Sequence, residues 1–243
     1  MKAHKKNYRS QVKDSWFNVI VKETDLFIQA PPHLKKIARE AILKQREIIE
    51  SYIIRCPEFA HTLDPIHIHG IEADIIHDMA AAGKKAGVGP MAAVAGAIAE
   101  RVGRGILRHT DEVIVENGGD VFIKKNNNVD IAIFAGRSPL SMKVGIRIPS
   151  HLQAVSVCTS SGTVGHSLSL GSADAVCVVS DSCSLADALA TSVGNMVNSA
   201  KDIQKAIDMG RQIKGVSGLV VIVNDRIGMW GDFKLVPIAK KKL

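Results

Sequence analysis

The densest group of polar side chains in the sequence lies in residues 159–167, Thr-Ser-Ser-Gly-Thr-Val-Gly-His-Ser. Five hydroxyls, two glycines and one histidine follow directly after an apolar segment that predicts a β-strand. A loop of this composition at a strand end offers backbone N–H groups and hydroxyls to an anion such as a phosphate. A plain connecting loop would need fewer glycines and no histidine. We therefore predict that a phosphorylated ligand is bound by residues of this loop, namely Thr159, Ser160, Ser161, Gly162, Thr163 and His166.

A second candidate is the pair formed by Asp187 and Thr191, near the start of a helix predicted over residues 185–197. Residues four apart lie on the same side of a helix, so a carboxylate and a hydroxyl would be neighbours there. Hard oxygen ligands of this kind suit Mg²⁺. The alternative is a capping box, with Ser184 as the N-cap residue and Asp187 complementing the helix N-terminus. The spacing alone leaves both interpretations open.

A third candidate is the turn formed by Asn117, Gly118, Gly119 and Asp120, between two strand-like segments. Asn-Gly and Gly-Gly pairs provide the positive φ angles that tight hairpin turns require, so the turn could be purely structural. The functional alternative is that its bare backbone lies against a ligand, with the Asp120 carboxylate at the edge. Spacing does not decide between the two.

For several other motifs, the neighbouring sequence argues against a functional interpretation. The glycines of residues 87–89 follow a predicted helix rather than a strand, which argues against a dinucleotide-binding fingerprint, and the sequence contains no P-loop. His67 and His69 could share one side of an extended segment, but no third metal ligand is evident nearby, so a polar turn is favoured. No Cys-x-x-Cys pair occurs, and we expect small buried thiols at Cys56, Cys158, Cys177 and Cys183.

The elements that must position these residues are predicted from apolar periodicity. Hairpins dominate the middle of the chain and helices come in pairs, so we predict an α+β fold rather than a βαβ repeat. The helix predicted over residues 91–102 consists almost entirely of small residues, which would let a ligand or another backbone approach it closely. The other predicted helices span residues 34–53, 71–86, 185–197 and 201–213. Strands are predicted over 16–21, 26–30, 112–115, 121–124, 130–134, 144–148, 154–158, 175–179, 216–223 and 233–237.

Composition and charge limit the class of function. The chain has 243 residues, 46% hydrophobic and 4% aromatic, with a net charge of +7. The first 14 residues and residues 240–243 account for all of this charge, so residues 15–239 are formally neutral. We predict two basic tails flanking one domain over residues 15–239. This distribution, and the few aromatic residues, argue against nucleic-acid binding. We expect no membrane association and a cytoplasmic location, because neither a membrane-spanning run nor a secretory signal is evident.

Four segments together resemble the ApbE superfamily, the FAD:protein FMN transferases. Those enzymes have a small-residue helix with a glycine, a Gly-Gly-Asp turn, a Thr-Ser-Gly loop and an Ala-Asp-Ala-x-x-Thr helix. The matching residues occur here in the same order: Gly96, then Gly118-Gly119-Asp120, then Ser161-Gly162, then the segment from Ala186 to Thr191. Residues 88–97, 115–120 and 159–169 look like a short, uncharacterised cytoplasmic branch of that superfamily.

The resemblance implies an α+β fold of duplicated halves, each with sheet strands and paired helices, and a flavin nucleotide between them. It implies that Asp187 and Thr191 hold Mg²⁺ beside the pyrophosphate of FAD. The loop with Ser161 and Gly162 would contact the nucleotide, and Asp120 would lie in the pocket wall. The expected cofactors are therefore Mg²⁺ and FAD or FMN. The expected partner is a flavin or another phosphorylated small molecule.

The sequence also departs from the transferase pattern. The transferases have Lys-Gly in the small-residue helix, where this chain has Ala95-Gly96. They place an Asp-Pro-x-Thr-Gly segment after the histidine of the loop, and His166 has no such segment behind it. These losses affect flavin transfer more than nucleotide binding. They also leave open a non-catalytic scaffold that retains the fold, and the small-residue surfaces are compatible with a homodimer.

Overall fold

The computed structural model describes residues 15–150, 154–161 and 171–238 of the chain. The two basic tails predicted over residues 1–14 and 240–243 lie outside these residues. Three of the predicted ligand-binding residues also lie outside them, namely Gly162, Thr163 and His166. No helix in the described part of the chain combines the length and the apolar character needed to cross a membrane.

The described residues form six α-helices: α1 (Lys35–Arg55), α2 (Glu58–His61), α3 (Asp74–Ala86), α4 (Val94–Ile106), α5 (Cys183–Met196) and α6 (Ile203–Arg211). Gly87 follows the last residue of α3, and its φ of 72° is the left-handed conformation that favours glycine at a helix C-terminus. A single 3₁₀ turn, Pro90–Ala93, then leads into α4. Helix α4 therefore begins three residues later than the sequence predicts, because Pro90 and its neighbours adopt the tighter turn.

The same part of the chain contains eleven strands: β1 (Trp16–Val21), β2 (Thr24–Gln29), β3 (Val113–Asn117), β4 (Asp120–Lys124), β5 (Val129–Ala132), β6 (Val144–Ile148), β7 (Val155–Ser160), β8 (Ala175–Ser180), β9 (Val216–Val223), β10 (Arg226–Gly231) and β11 (Lys234–Pro237). Eight of them form one sheet in the order β1-β2-β3-β4-β7-β8-β9-β10, and β11-β6-β5 form a second sheet. Each pairing within these sheets is antiparallel. The predicted α+β fold is therefore confirmed.

The large sheet repeats one order of elements. In the first half of the sheet (β1–β4), the helices α1 to α4 connect β2 to its neighbour β3. In the second half (β7–β10), the helices α5 and α6 connect β8 to its neighbour β9. The halves meet where β4 pairs with β7, with Asp120 opposite Cys158. The large sheet thus consists of two similar units, each with two strands, then helices, then two more strands.

The two faces of the large sheet have separate apolar cores. The larger core lies between the sheet and the helices and includes Phe122, Cys158 and Leu189. The smaller core lies between the sheet and the three-stranded sheet and includes Ile146, Val157 and Cys177. Because side chains alternate along a strand, neighbouring residues of β7 such as Val157 and Cys158 enter different cores.

One strand and one α-helix are absent from the sequence prediction. Strand β10 was not predicted because its sequence, Arg-Ile-Gly-Met-Trp-Gly, has two glycines and no alternation of apolar and polar residues. It forms because its residues pair with β9 along its whole length. Helix α2 has only four residues, too few for a periodic pattern. The other predicted helices and strands are present, with boundaries shifted by a few residues.

Candidate functional site

Two helices meet at Gly96, which has no room for a side chain. A Cβ atom there would lie 2.8 Å from the carbonyl carbon of Cys183 and 2.9 Å from Cβ of Asp187. Real Cβ atoms do not approach other atoms this closely, so the start of α5 lies directly against the first turn of α4. The glycine predicted to bind a ligand is thus required first of all for a close helix contact.

Asp187 caps the other helix rather than its own. Its Oδ2 atom accepts a hydrogen bond of 2.8 Å from the backbone N–H of Gly96, the third residue of α4. N–H groups in the first turn of a helix have no partner within the helix, and a carboxylate there also stabilises the helix dipole. The N-cap residue of α5 is Ser182, whose side chain accepts from the N–H of Leu185. The capping box of Ser184 and Asp187, the alternative that the sequence left open, is therefore wrong.

The hairpin turn after β3 lies beside the same helix start. Gly118 and Gly119 have φ angles of 69° and 128°, so both adopt the conformations that this turn requires of glycine. The Asn117 side chain donates a hydrogen bond of 2.9 Å to the carbonyl oxygen of Ala95 in α4. The carbonyl oxygen of Gly119 accepts from the N–H of Thr159, 3.2 Å away. The turn is thus held between α4 and the end of β7.

Asp120 and Asp187 form a pair of carboxylates across this junction. Asp120 is buried, whereas Asp187 is partly buried. Burial raises the pKa of the Asp187 carboxyl well above its ordinary value, and the negative charge of Asp120 raises this pKa further. The backbone N–H groups of Gly96 and Ala95 lower the same pKa. Their opposing effect does not cancel the increase, so the pair favours a proton or a cation.

Thr191 extends the carboxylate pair along α5. It lies four residues after Asp187 in this helix and is partly buried. Mg²⁺ binds through one or two carboxylates and completes its six ligands with waters and phosphate oxygens. The described residues contain no group of three or more His, Cys, Asp or Glu side chains suited to a metal. Asp120, Asp187 and Thr191 carry oxygen atoms of the kind that Mg²⁺ takes, and they are too few to complete its six ligands without other oxygens.

The strand β7 places the hydroxyls of the predicted loop on two different faces. The Thr159 hydroxyl lies 3.1 Å from the Cys177 sulfur, in the smaller core and away from the helices. The structure therefore does not bring this side chain to the carboxylate pair. Ser160, the next residue, lies on the helix face and its buried hydroxyl has no hydrogen-bond partner among the described residues. Ser161 follows at the end of the described segment.

The structure thus brings together Gly96, Asp120 and Asp187, with Asn117, Gly118, Gly119, Ser160 and Thr191 around them. It keeps His67 and His69 exposed in a segment without regular structure, as the polar-turn interpretation predicts. The cysteines are free thiols, three buried and Cys56 partly buried.

Glu100 also belongs to this junction and is not among the residues predicted from the sequence. Its Oε2 atom accepts a hydrogen bond of 2.8 Å from the N–H of Cys183, the first residue of α5. The signal available in the sequence was its position four residues after Gly96, on the same side of a helix of small residues. That signal does not reveal which neighbour Glu100 contacts.

The fold and this junction define an α+β protein of two similar halves, with a pair of carboxylates where helices from the two halves meet. The sequence family described as AbpE bacteria matches residues 9–229, and the chain belongs to this family.

Relatives of this chain are found among the archaea. It is 38% identical to a UPF0280 protein of Methanocaldococcus jannaschii over 225 residues, 89% of this chain and 91% of the relative. It is 40% identical to a UPF0280 protein of Methanococcus aeolicus over 200 residues, 80% of this chain and 81% of the relative.

Solved structures share the fold at low identity. The flavinyl transferase ApbE of Pseudomonas stutzeri, in its apo form, has a TM-score of 0.59 and 14% identity, covering 90% of this chain and 94% of its own. The flavin transferase ApbE of Vibrio cholerae has a TM-score of 0.55 and 12% identity, covering 88% of this chain and 96% of its own. The similarity to the ApbE superfamily noted in the sequence is confirmed at the level of family and fold.

Proposed function

We propose that this protein binds a flavin nucleotide, FAD or FMN, together with Mg²⁺ at the junction of α4, α5 and the turn after β3. The observation that carries the proposal is the carboxylate of Asp187, held at the N-terminus of α4 beside the second carboxylate of Asp120. Two neighbouring carboxylates in a partly buried site favour a divalent cation. The flavin transferases that share the fold support the choice of nucleotide.

The residues of this chain have distinct tasks in the proposed site. Asp187 and Thr191 would provide the protein oxygens for Mg²⁺, and Asp120 would add negative charge behind them. When bound, Mg²⁺ would neutralise the negative charge of the phosphate groups. Gly118 and Gly119 would leave the backbone of the turn open to the ligand. The hydroxyls of Ser160 and Ser161, with Gly162, Thr163 and His166 from the following loop, would donate hydrogen bonds to phosphate oxygens.

Transfer of FMN from FAD to a protein is a narrower proposal than binding. Ala95 precedes Gly96 where the transferases have a lysine, and no Asp-Pro-x-Thr-Gly segment follows His166. These two differences favour a second candidate, a scaffold that retains the fold without catalysis. Binding of nucleotide separates this scaffold from the first candidate, and release of AMP from FAD separates binding from transfer.

The direct test is titration of the purified full chain with FAD, FMN and ADP, each with Mg²⁺ and with EDTA. We expect binding of at least one flavin nucleotide that weakens at least tenfold when Mg²⁺ is removed. A chain that binds none of the three at high micromolar concentration contradicts the proposal and supports the scaffold.

A single substitution tests the metal ligand. Asp187→Asn keeps an acceptor for the Gly96 N–H but removes a negative charge from the proposed Mg²⁺ site. We expect the Mg²⁺-dependent nucleotide affinity to fall at least tenfold, about 1.4 kcal/mol. Calorimetric titration measures this change. Thr191→Val, which is nearly isosteric and lacks the hydroxyl, should reproduce the loss with little effect on folding.

The matched control is Asp181→Asn, the same change six residues earlier on an exposed side chain. We expect it to leave nucleotide affinity within about twofold of the wild type, since surface charges contribute little. If Asp187→Asn and Thr191→Val bind nucleotide with Mg²⁺ as tightly as Asp181→Asn does, the metal assignment is wrong.

A further inference from the structure

The contact between α4 and α5 contains two hydrogen bonds that run in opposite directions. Asp187 of α5 accepts from the N–H of Gly96 in α4, and Glu100 of α4 accepts from the N–H of Cys183 in α5, each at 2.8 Å. Each helix therefore supplies a carboxylate to the N-terminus of the other. The first turns of both helices obtain a charged acceptor from outside the helix.

The spacing places these two bonds side by side. Gly96 and Glu100 are four residues apart in α4, and Cys183 and Asp187 are four residues apart in α5. Residues four apart lie one turn above each other on the same side of a helix. We call these four residues the cross-cap. Within it, the absence of a side chain at Gly96 lets the two helix backbones approach closely enough for both bonds.

The two carboxylates of the cross-cap are balanced differently. Glu100 also pairs with Arg104 at 2.8 Å, and its side chain is only 14% exposed. Asp187 instead lies near the negative charge of Asp120, which raises its pKa. The negative charge of Glu100 is therefore balanced by Arg104. The negative charge of Asp187 remains available to a cation.

We propose that Glu100 is a positioning residue for Asp187: it fixes the start of α5 on α4 and so holds the Asp187 carboxylate at the nucleotide site. The ligand-binding part of this inference rests on the proposed function. A bound cation would compete with the Gly96 N–H for the oxygens of Asp187. The hydrogen bond from Cys183 to Glu100 then keeps the two helices in place while the Asp187 carboxylate is shared.

The first test needs no ligand and measures amide hydrogen exchange in the full chain. In Glu100→Ala the amide of Cys183 loses its acceptor, and we expect the amide of Gly96 also to exchange at least tenfold faster, although the acceptor of that amide is Asp187 and not Glu100. The buried amide of Val221 in β9 is the internal reference for global opening. If Gly96 keeps its wild-type exchange rate while Cys183 exchanges faster, the two bonds are independent and the proposal is overturned.

The second test separates positioning from a merely structural role through Mg²⁺. In Glu100→Ala we expect the Mg²⁺ concentration for half-maximal FAD binding to rise at least tenfold, while FAD affinity in EDTA changes less than threefold. Glu100→Gln keeps an oxygen acceptor for the Cys183 N–H and should restore the Mg²⁺ midpoint to within about threefold of the wild type. A lowered melting temperature with an unchanged Mg²⁺ midpoint overturns the proposal.

The matched control is Glu112→Ala. Glu112 also accepts a backbone N–H, that of Asn126 at 2.7 Å, and also pairs with a cation, Lys125 at 2.7 Å. It lies outside the helix contact, so its loss should leave both the Gly96 exchange rate and the Mg²⁺ midpoint unchanged. If the wild type binds no nucleotide, the proposed function fails, whereas the exchange rate of Gly96 still decides whether Glu100 positions Asp187.

Discussion

Asp187 lies in the contact between α4 and α5, and Asp130 lies in the three-stranded sheet. The pKa values of these two aspartates are shifted in opposite directions. Asp187 accepts from backbone N–H groups next to another carboxylate, and its pKa is raised. Asp130 of β5 accepts two hydrogen bonds of 2.7 Å from Arg147 of β6, and its pKa is lowered. Arg147 balances the negative charge of Asp130, whereas the charged residue that acts on Asp187 in the described part of the chain is another carboxylate, Asp120.

If the proposed function is correct, this difference separates a region that binds a ligand from a region that only stabilises the fold. A partly buried carboxylate near a second one costs stability when ionised. A carboxylate in a bidentate pair with arginine stabilises the structure modestly and needs no ligand. We therefore expect substitutions around the three-stranded sheet to change folding alone. Substitutions around the helix contact should change nucleotide binding.

The largest expected change in the free energy of unfolding comes from a substitution in the three-stranded sheet. Ile146 of β6 is fully buried in the smaller core. Ile146→Ala should lower the free energy of unfolding by about 2–5 kcal/mol, because it removes buried methyl groups and leaves a cavity. Urea denaturation measures this loss. Nucleotide affinity of the folded variant should stay within about twofold of the wild type, and a larger change would remove the distinction between the two regions.

A smaller effect on stability is expected at the helix contact, with a larger effect on binding. Gly96→Ala adds a Cβ atom against the backbone of Cys183, so the two helices must separate slightly. We expect a loss of about 1–3 kcal/mol in the free energy of unfolding, the usual cost of overpacking. Mg²⁺-dependent nucleotide affinity should fall at least tenfold because Asp187 moves with α5.

The control for this change is Gly105→Ala in the same helix. A Cβ atom at Gly105 would have its nearest neighbour, Cβ of Ala41, at 3.9 Å. Alanine favours helix over glycine, so this variant should be as stable as the wild type or about 0.5–1 kcal/mol more stable. If both variants bind nucleotide equally well, close contact at Gly96 is not needed for the site.

The smallest effect concerns pH. Arg147 lowers the pKa of Asp130 in the folded protein, so the stability that this pair contributes is present above the ordinary aspartate pKa of about 4. It is lost as the pH falls through the lower pKa of the folded state. Asp130→Asn should therefore lower stability by less than about 1 kcal/mol at pH 7 and have less effect in acid. Thermal melting between pH 2 and pH 7 measures the change, and an equal loss at both ends would contradict it.

Local sequence patterns predict most of the fold. The three-four spacing of apolar residues locates α1, and segments rich in valine and isoleucine, such as Val216–Val223, locate the strands. Strand β10 escapes prediction because its partner β9, rather than its own sequence, makes it a strand. Neither periodicity nor the resemblance to a family predicts the order of strands in the sheet, since the resemblance implies only duplicated halves.

The candidate site could be predicted only in part. The spacing offered two roles for Asp187, a Mg²⁺ ligand or a cap on its own helix, and it could not reveal a cap on a helix 91 residues earlier. Thr159 shows a similar limit. Its position in a Ser/Thr-rich segment suggests ligand binding, whereas the alternation of side chains along β7 directs its hydroxyl to Cys177 on the other face. Only the strand register decides this.

The separation between Gly96 and Asp187 also has a consequence for folding. Hairpins and helices form early because their contacts are local, whereas a contact across 91 residues must wait until both halves of the sheet have docked. We therefore expect the proposed nucleotide site to be assembled after the transition state. Nucleotide added to the refolding chain should then leave the folding rate unchanged and slow the unfolding rate, because a late contact stabilises only the native state.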